Sequence, residues 1–512
     1  MSVARTWSVA LTGLAGAMVE VEADLSQQLP DFRIIGLGDR ALGEAVQRVH
    51  NACANSGLPL PRRRLTVNLS PASLPKHGSS FDLAVAVAAL AAGSALPADA
   101  IGATVHLGEL GLDGRLRPVA GVLPAVLSAV RAGHDRFVVP QANLAEARLV
   151  AGATVIGAGT LAEVARAHGA DIDVAAVSDA PAPLATDGSA DADGPPPDLA
   201  DVVGQAHAVD ALIVAAAGGH HLLMTGPPGA GKTMLARRLP GILPDLDEAS
   251  ALTVASIRSL SGVPVTTLSR RPPWEAPHHS ASTASLVGGG SRLIRPGAIA
   301  RAGEGVLFLD EAAEFSAAAL DSLRQPLEEG AIEIHRAGMS ARFPARFQLV
   351  LATNPCPCGN HGVVGATCEC PPQAIRRYRG RLSGPLLDRI DLEVPMRRVA
   401  TVQDAAAMPR LTTMAARTRV ATARANAAER LAATPWRLNA HVEGRWLREG
   451  AARPTPAVRR PLDAALERGR LTLRGYDRVL RVAWTLADLA GRTRLEETDV
   501  GRALFLKKGV PV

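Results

Sequence analysis

Gly226-Pro227-Pro228-Gly229-Ala230-Gly231-Lys232-Thr233 is the stretch on which the reading of this 512-residue chain turns. It is a complete G-x-x-x-x-G-K-[ST] phosphate loop, and its flanks are those such a loop requires. The apolar run His221-Leu222-Leu223-Met224 reads as a short buried strand, and Met234-Leu235-Ala236-Arg237-Arg238-Leu239 as the first turns of a helix. Glycines in the loop let backbone N–H groups close around a triphosphate. The helix start adds positive potential, Lys232 reaches the β- and γ-phosphates, and the Thr233 hydroxyl stands where a magnesium ligand is required. ATP and Mg2+ are therefore the expected ligands. The plainer alternative is a Gly/Pro turn between a strand and a helix, and the residues downstream argue against it.

Working outward, the segment Gly305-Val306-Leu307-Phe308-Leu309-Asp310-Glu311 is an apolar run ending in two carboxylates. Such a run describes a buried parallel strand whose C-terminal end faces a nucleotide. Asp310 is the candidate to hold Mg2+ through water, and Glu311 the candidate general base for the attacking water. A third strand is expected over Phe347-Gln348-Leu349-Val350-Leu351-Ala352-Thr353-Asn354, and a fourth over Ile390-Asp391-Leu392-Glu393-Val394-Pro395.

Length and composition bound the rest. A chain of this size is too long for one core and is expected to form three to four domains. Its hydrophobic residues, 47% of the total, are mostly Ala, Val and Leu, as in a water-soluble α/β protein. The net charge of +6 suits contact with a polyanion without demanding it. No Lys or Arg occurs from Gly169 to Gly231, whereas Arg376 to Arg398 is crowded with arginine, so the basic character belongs to the second half. Glu20, Glu22 and Asp24 interrupt the apolar start, and Gly93 and Pro97 cut the apolar run Leu83 to Ala92 below the length of a membrane span. A cytoplasmic protein with no membrane partner is expected.

Residues 1–168 read as a first α/β domain. Ala17-Met18-Val19-Glu20-Val21-Glu22 and Leu65-Thr66-Val67-Asn68-Leu69 alternate like half-exposed strands, and Asp82 to Ala92 has the character of a buried helix. Lys76 to Leu83, followed by Leu107 to Val119, resembles the proteolytic domain of Lon proteases. That resemblance places Ser80 at the nucleophile position of a Ser-Lys dyad, but the matching lysine position, about Leu123, cannot act as a base. Ser79 and Ser80 then read as polar residues at a helix N-terminus, in a Lon-like scaffold without peptidase activity. Residues 169–198, rich in Ala, Asp, Pro and Gly and ending near Pro195-Pro196-Pro197, read as an acidic extended linker.

From Leu199 the chain resembles AAA+ ATPases. Gly204 and Gln205 match the Gly-Gln box beside the adenine pocket, Asn354 matches the sensor asparagine, and Arg389 matches the arginine finger that reaches the γ-phosphate of a neighbouring subunit. A finger supplied in trans implies a homo-oligomeric ring. Together with Pro277-His278-His279-Ser280, Gly288-Gly289-Gly290, Leu323-Arg324-Gln325-Pro326-Leu327-Glu328 and Asn354-Pro355-Cys356-Pro357-Cys358-Gly359, these motifs resemble the YifB/ComM family of magnesium-chelatase-like AAA+ ATPases over nearly the whole chain. The resemblance implies an ATPase module over 199–400 and a helical lid over 401–512. It also implies a hexameric ring acting as a helicase or branch-migration motor on single-stranded or branched DNA. One departure stands out: Ala302-Gly303 replaces the Ala-His that relatives usually carry before the Asp-Glu strand.

In the lid, Leu473-Arg474-Gly475-Tyr476-Asp477-Arg478 resembles a sensor-two helix, with Arg474 the first choice for the γ-phosphate and Arg478 the second; a solvated arginine face is the alternative. Cys356, Cys358, Cys368 and Cys370 form two Cys-x-Cys arms around a glycine-containing turn, a pattern suited to Zn2+, with His361 as a substitute ligand and a reduced or redox-paired cluster as the alternative. Cys53 stands alone and reads as a core residue. The stretch Gly330 to Phe343 alternates apolar and polar residues about a turn at Ala337-Gly338, the pattern of a β-hairpin. His335, Arg336 and Arg342 on it are the candidate DNA contacts. A metal-chelatase motor subunit, or a nucleotide-regulated scaffold indifferent to DNA, remains a competing reading.

Overall fold

A computed structural model describes residues 3–36, 40–74, 76, 78–173, 197–290, 294–336, 339–363, 365–398 and 410–508. The first half is a mixed sheet. Strands β1 (Ala4–Thr12), β2 (Ala15–Ser26), β3 (Asp31–Ile35), β4 (Arg64–Ser70), β5 (Thr104–His106), β6 (Arg136–Pro140) and β7 (Thr154–Ala158) lie in the order β3-β4-β2-β1-β5-β6-β7. β1 and β2 pair antiparallel, as do β2 and β4; β1 with β5, β5 with β6, and β6 with β7 run parallel. Period-two patterning does what the residues predict: Val19, Val21 and Ala23 of β2, and Leu65, Val67 and Leu69 of β4, are buried while their neighbours are partly exposed. Helix α1 (Arg40–Asn55) and α2 (Asp82–Ala92), apolar after its first residue, cover this sheet, and α2 is buried from Asp82 through Ala91. Helix α3 (Val122–Arg131) packs on β1 and β2.

The second half is built on a parallel sheet. Helix α4 (Ala206–Gly218) precedes β8 (Leu222–Thr225), and α5 (Lys232–Ala236) and α6 (Glu248–Leu260) follow it. Then come β9 (Trp274–Glu275), β10 (Val306–Leu309), the hairpin β11 (Ala331–Arg336) and β12 (Met339–Pro344), β13 (Gln348–Thr353) and β14 (Leu392–Pro395). The sheet order is β9-β10-β13-β8-β14, with every pairing parallel. Thr353 of β13 lies opposite Thr225 of β8, so these two strands end level, and β10 ends two positions earlier at the same edge, with Leu309 opposite Leu351. β10 and β13 are buried along their whole length, as expected of central strands covered on both faces. Helices α7 (Thr413–Arg430), α8 (Leu473–Leu489) and α9 (Glu497–Lys508) belong to a helical C-terminal region and share one apolar core with α4 and the sheet.

Three details qualify the sequence reading. Ala170 and Ile172 pack against the first core and Asp198 accepts hydrogen bonds from the Thr413 N–H (2.7 Å) and hydroxyl (3.0 Å), so both ends of the expected linker are anchored. Its interior, residues 174–196, lies outside the described residues, as do 399–409 at the expected start of the lid and the hairpin turn Ala337-Gly338. The two halves also touch: the Gly121 N–H donates to the Ser259 carbonyl (3.1 Å), and the Gly13 turn lies so close to the hairpin that a Cβ there would stand 3.0 Å from the Arg342 carbonyl oxygen.

Candidate nucleotide-hydrolysis site

The strand ends at this edge converge on the loop after β8. Gly229 and Gly231 adopt positive φ, 78° and 85°, as the tight turn into α5 demands of residues without a Cβ. At Gly226 a Cβ would lie 2.5 Å from the Met396 carbonyl oxygen, so the loop is held close to the chain leaving β14. Gln205, buried, donates to the carbonyls of Ala230 and Arg397 and clasps the loop from behind. Its neighbour Gly204 supplies the positive φ of that turn. Pro227 and Pro228 complete the loop, and the Pro228 carbonyl accepts from Arg398 Nε at 2.9 Å.

Lys232 is 9% exposed, and its ammonium donates to the Gly226 carbonyl (2.6 Å), the Pro227 carbonyl (3.0 Å) and Asn354 Oδ1 (3.0 Å). Burial lowers its pKa from the usual lysine value, while Asp310 and Glu311 pull it the other way. Thr233 Oγ1 donates to Asp310 Oδ2 at 2.6 Å, so the two residues expected to share a magnesium ion already share a proton. Asn354 stands one residue beyond β13, two positions further along the sheet than Asp310, which stands one residue beyond β10. The residues named from the sequence for phosphate, metal and sensor thus form one cluster.

Glu311 adds a feature that the sequence did not announce. Its backbone is in the left-handed region at φ 51°, an uncommon conformation for a non-glycine residue, and its carboxylate lies 3.2 Å from His279 Nδ1. The His279 ring packs against His278, with centroids 4.1 Å apart, and His278 Nδ1 shares a hydrogen bond with Ser280 Oγ at 2.8 Å. Parallel pairing of β9 with β10 brings the segments beyond both strands together. The only sequence signal for His279 was the motif Pro277-His278-His279-Ser280, to which no role attached, because β9 is too short to register as a strand.

The arginines fall differently. Arg389 is 9% exposed, paired with Glu328, and bonded to the Pro385 carbonyl at 2.5 Å. Of the two lid candidates, Arg478 is committed to the fully buried Asp391 at 2.5 Å, whereas Arg474 is exposed in the first turn of α8 with no ion pair among the described residues. On the hairpin, Ile332, Ile334, Ala341 and Phe343 face the core, and His335 and Arg342 face outward, Arg342 opposite Glu333. The Arg336 side chain lies outside the described residues. The four cysteines come together, with all Sγ atoms within 4.8 Å of one another; His361 contributes its backbone N–H to Cys356 Sγ (3.3 Å), and its ring is not part of the group. Cys53 is buried in the first core, as a lone small apolar residue should be. Leu123, at the position where a Lon dyad has lysine, is fully buried, and Ser79 is hydrogen-bonded to Glu109.

Comparison with known proteins now bears on this geometry. Residues 198–404 match the family described as magnesium chelatase, subunit ChlI; residues 21–143 match subunit ChlI of Mg-chelatase; residues 410–507 match the ChlI C-terminal family. The competence protein ComM of Haemophilus influenzae is 40% identical over 512 residues, covering 98% of this chain and 97% of its own. YifB of Escherichia coli, an uncharacterized protein, is 38% identical over 492 residues, 96% and 94% of the two chains. The chain belongs to the YifB/ComM family of magnesium-chelatase-like AAA+ ATPases. An uncharacterized Mycobacterium tuberculosis protein is 50% identical over 514 residues and 99% of both chains. A stretch covering 26% of the chain is 31% identical to the Lon protease of Mycolicibacterium smegmatis, in keeping with the Lon-like first half of this YifB/ComM protein. No helix among the described residues is long and apolar enough to cross a membrane.

Proposed function

We propose that the chain is the subunit of a cytoplasmic, ATP-driven ring, a hexamer by family resemblance, that moves along single-stranded or branched DNA as a helicase or branch-migration factor. The observation that carries the ATPase part is the convergence of Lys232, Thr233, Asp310 and Asn354 at one sheet edge, with hydrogen bonds of 2.6 Å and 3.0 Å already joining them in pairs. In this reading Lys232 exchanges its loop carbonyls for phosphate oxygens, Glu311 takes the proton of the attacking water, and Asn354 orients that water. A magnesium ion held by Thr233 and Asp310 would neutralise charge on the β- and γ-phosphates. Arg389 exchanges Glu328 for the γ-phosphate of the next subunit, and Arg474, which has no ion pair among the described residues, is the lid's contribution in cis. The four cysteines beside this site offer sulfur ligands of the kind that suits Zn2+.

The DNA part rests on the hairpin β11–β12, which stands between the Asp-Glu strand and the Asn354 strand and so is linked to the nucleotide through short chain segments. His335, Arg336 and Arg342 are its DNA contacts. The Haemophilus influenzae relative carries the name of a competence protein, which is in keeping with this reading. The test is ATP turnover with and without single-stranded and forked DNA, beside DNA binding across a salt series. Turnover should rise with DNA. Replacing Arg336 and Arg342 with Ala should keep basal turnover, weaken binding and remove roughly one phosphate contact per arginine from the salt slope. Turnover indifferent to DNA would favour a metal-chelatase motor or a nucleotide-regulated scaffold instead.

A further inference from the structure

The cysteine cluster is not a remote ornament of the ATPase. Cys356 Sγ lies 3.3 Å from Cys358 Sγ and 3.7 Å from Cys368 Sγ, and Cys358 and Cys368 are 3.6 Å apart; Cys370 completes the group, with every pair within 4.8 Å. These separations are far longer than the bond of about 2.05 Å in a disulfide. They are close to the edges of a tetrahedron around a Zn2+ ion, where Zn–S bonds of about 2.3 Å put sulfurs about 3.8 Å apart. The surroundings are those of a built metal site. Cys356 is fully buried, the His361 N–H donates to its sulfur, and Asn360 Nδ2 ties the two arms together by donating to the Thr367 carbonyl at 3.2 Å. Gly359, Gly362 and Gly365, between the two cysteine arms, take left-handed turns.

Both ends of the ATP site touch this knuckle. Asn354, whose Oδ1 accepts from Lys232, precedes Cys356 by a single proline, and the carbonyl of that Pro355 accepts from Arg379 Nε at 3.1 Å. Gly359 lies flush on the phosphate loop: at φ 78°, a Cβ there would stand 2.4 Å from Pro228 Cδ. Pro228 is thus caught between Gly359 and Arg398, and the knuckle spans the gap between sensor and loop.

We infer that Cys356, Cys358, Cys368 and Cys370 bind one Zn2+ ion and that the resulting knuckle is a strut, which sets the spacing between Asn354 and the phosphate loop and so governs turnover. The ion takes no part in hydrolysis. This inference rests on the assignment of Lys232 and Asn354 to the ATP site, and its variants are positioning variants.

The experiment uses the full chain, purified without chelator. Metal analysis should find about one zinc per chain, lost in Cys370→Ser and Cys368→Ser and kept in Cys370→His and His361→Ala. Loss of zinc should lower kcat for ATP by about 10–100-fold, and Cys370→His should restore most of it. Gly359→Ala separates strut from metal. It should keep the zinc, since all four cysteines remain, and still lose kcat by about 10-fold or more, because a Cβ there pushes Pro228 away. A preparation without metal overturns the site. Zinc-free Cys370→Ser with normal kcat, or Gly359→Ala with normal kcat, overturns the strut. In either of those cases the wild-type ATPase persists, so the motor reading stands; a zinc-loaded wild type without ATPase sinks the motor reading itself.

Discussion

The two halves of this molecule are both α/β layers around an apolar core, yet they treat their polar residues in opposite ways. In the first half the chemistry-bearing side chains close on one another. Ser79 bonds to Glu109, and Asp82 is buried in an ion pair with Arg48 at 2.7 Å. Burial raises the Asp82 pKa to about 6, against the opposing pull of Arg48. Leu123 occupies the core where a Lon dyad has its base. In the second half the parallel strands end at one edge, and the residues just beyond β10 and β13, Asp310 and Asn354, meet Thr233 and Lys232 at the end of the loop after β8. The lesson is that layered architecture is permissive and the strand ends decide. A parallel sheet collects such ends at one edge, whereas the β1–β2–β4 antiparallel arrangement scatters them.

The strongest way to break this contrast is to mutate both halves at their most reactive-looking position. Glu311→Gln should lower ATP turnover by about 10^3–10^4-fold while Mg-ATP stays bound, since only the proton-accepting carboxylate is lost. Ser80→Ala should leave turnover, and any peptide hydrolysis measured beside it, unchanged. If Ser80→Ala cost as much as Glu311→Gln, the first half would not be a passive scaffold. Arg389 gives the next effect in size. Arg389→Ala should bind ATP normally yet turn it over about 10^3-fold more slowly, and mixing it with Glu311→Gln subunits should recover part of the activity by pairing an intact finger with an intact pocket. Absence of recovery in well-mixed assemblies would confine Arg389 to its observed role as the partner of Glu328.

Most of the second half was legible because its signals are local. A phosphate loop, a four-residue apolar strand and an Asp-Glu end are written within short windows, and for the same reason α2 was readable from its length and Ala content and β4 from its alternation. What escaped depended on neighbours in space. His279 meets Glu311 only because β9, two residues long, pairs with β10. Arg478 matched the same lid motif as Arg474, and only the placement of buried Asp391 separates them. The contact of Gly359 with Pro228 had no signature at all, because a glycine needed for close approach looks like any turn glycine.

The smallest expected effect concerns the seam, where the two halves stop being separate. Glu146 follows β6 and is buried beside Asn143, whose amide donates to its carboxylate at 2.6 Å, in a recess also lined by Ser259 and Gly262 from the end of α6. Burial pushes its pKa up to about 7, and the Asn143 hydrogen bond offsets this only in part. The folded value lies above the ordinary carboxylate value near 4.5. Between those two pH values the folded chain therefore retains a proton that the unfolded chain releases. Stability falls as pH rises through the window, and the cost is complete above about pH 7, on the order of 1–3 kcal/mol. Glu146→Gln keeps the acceptor for Asn143 and removes the charge. It should match the parent in thermal unfolding at pH 5 and unfold higher at pH 8, by about 2–4 °C per kcal/mol. A parent already as stable at pH 8 as the variant would mean that water or a seam rearrangement solvates Glu146. The two halves would then be packed less firmly at Ser259 than the 3.1 Å bond from Gly121 implies.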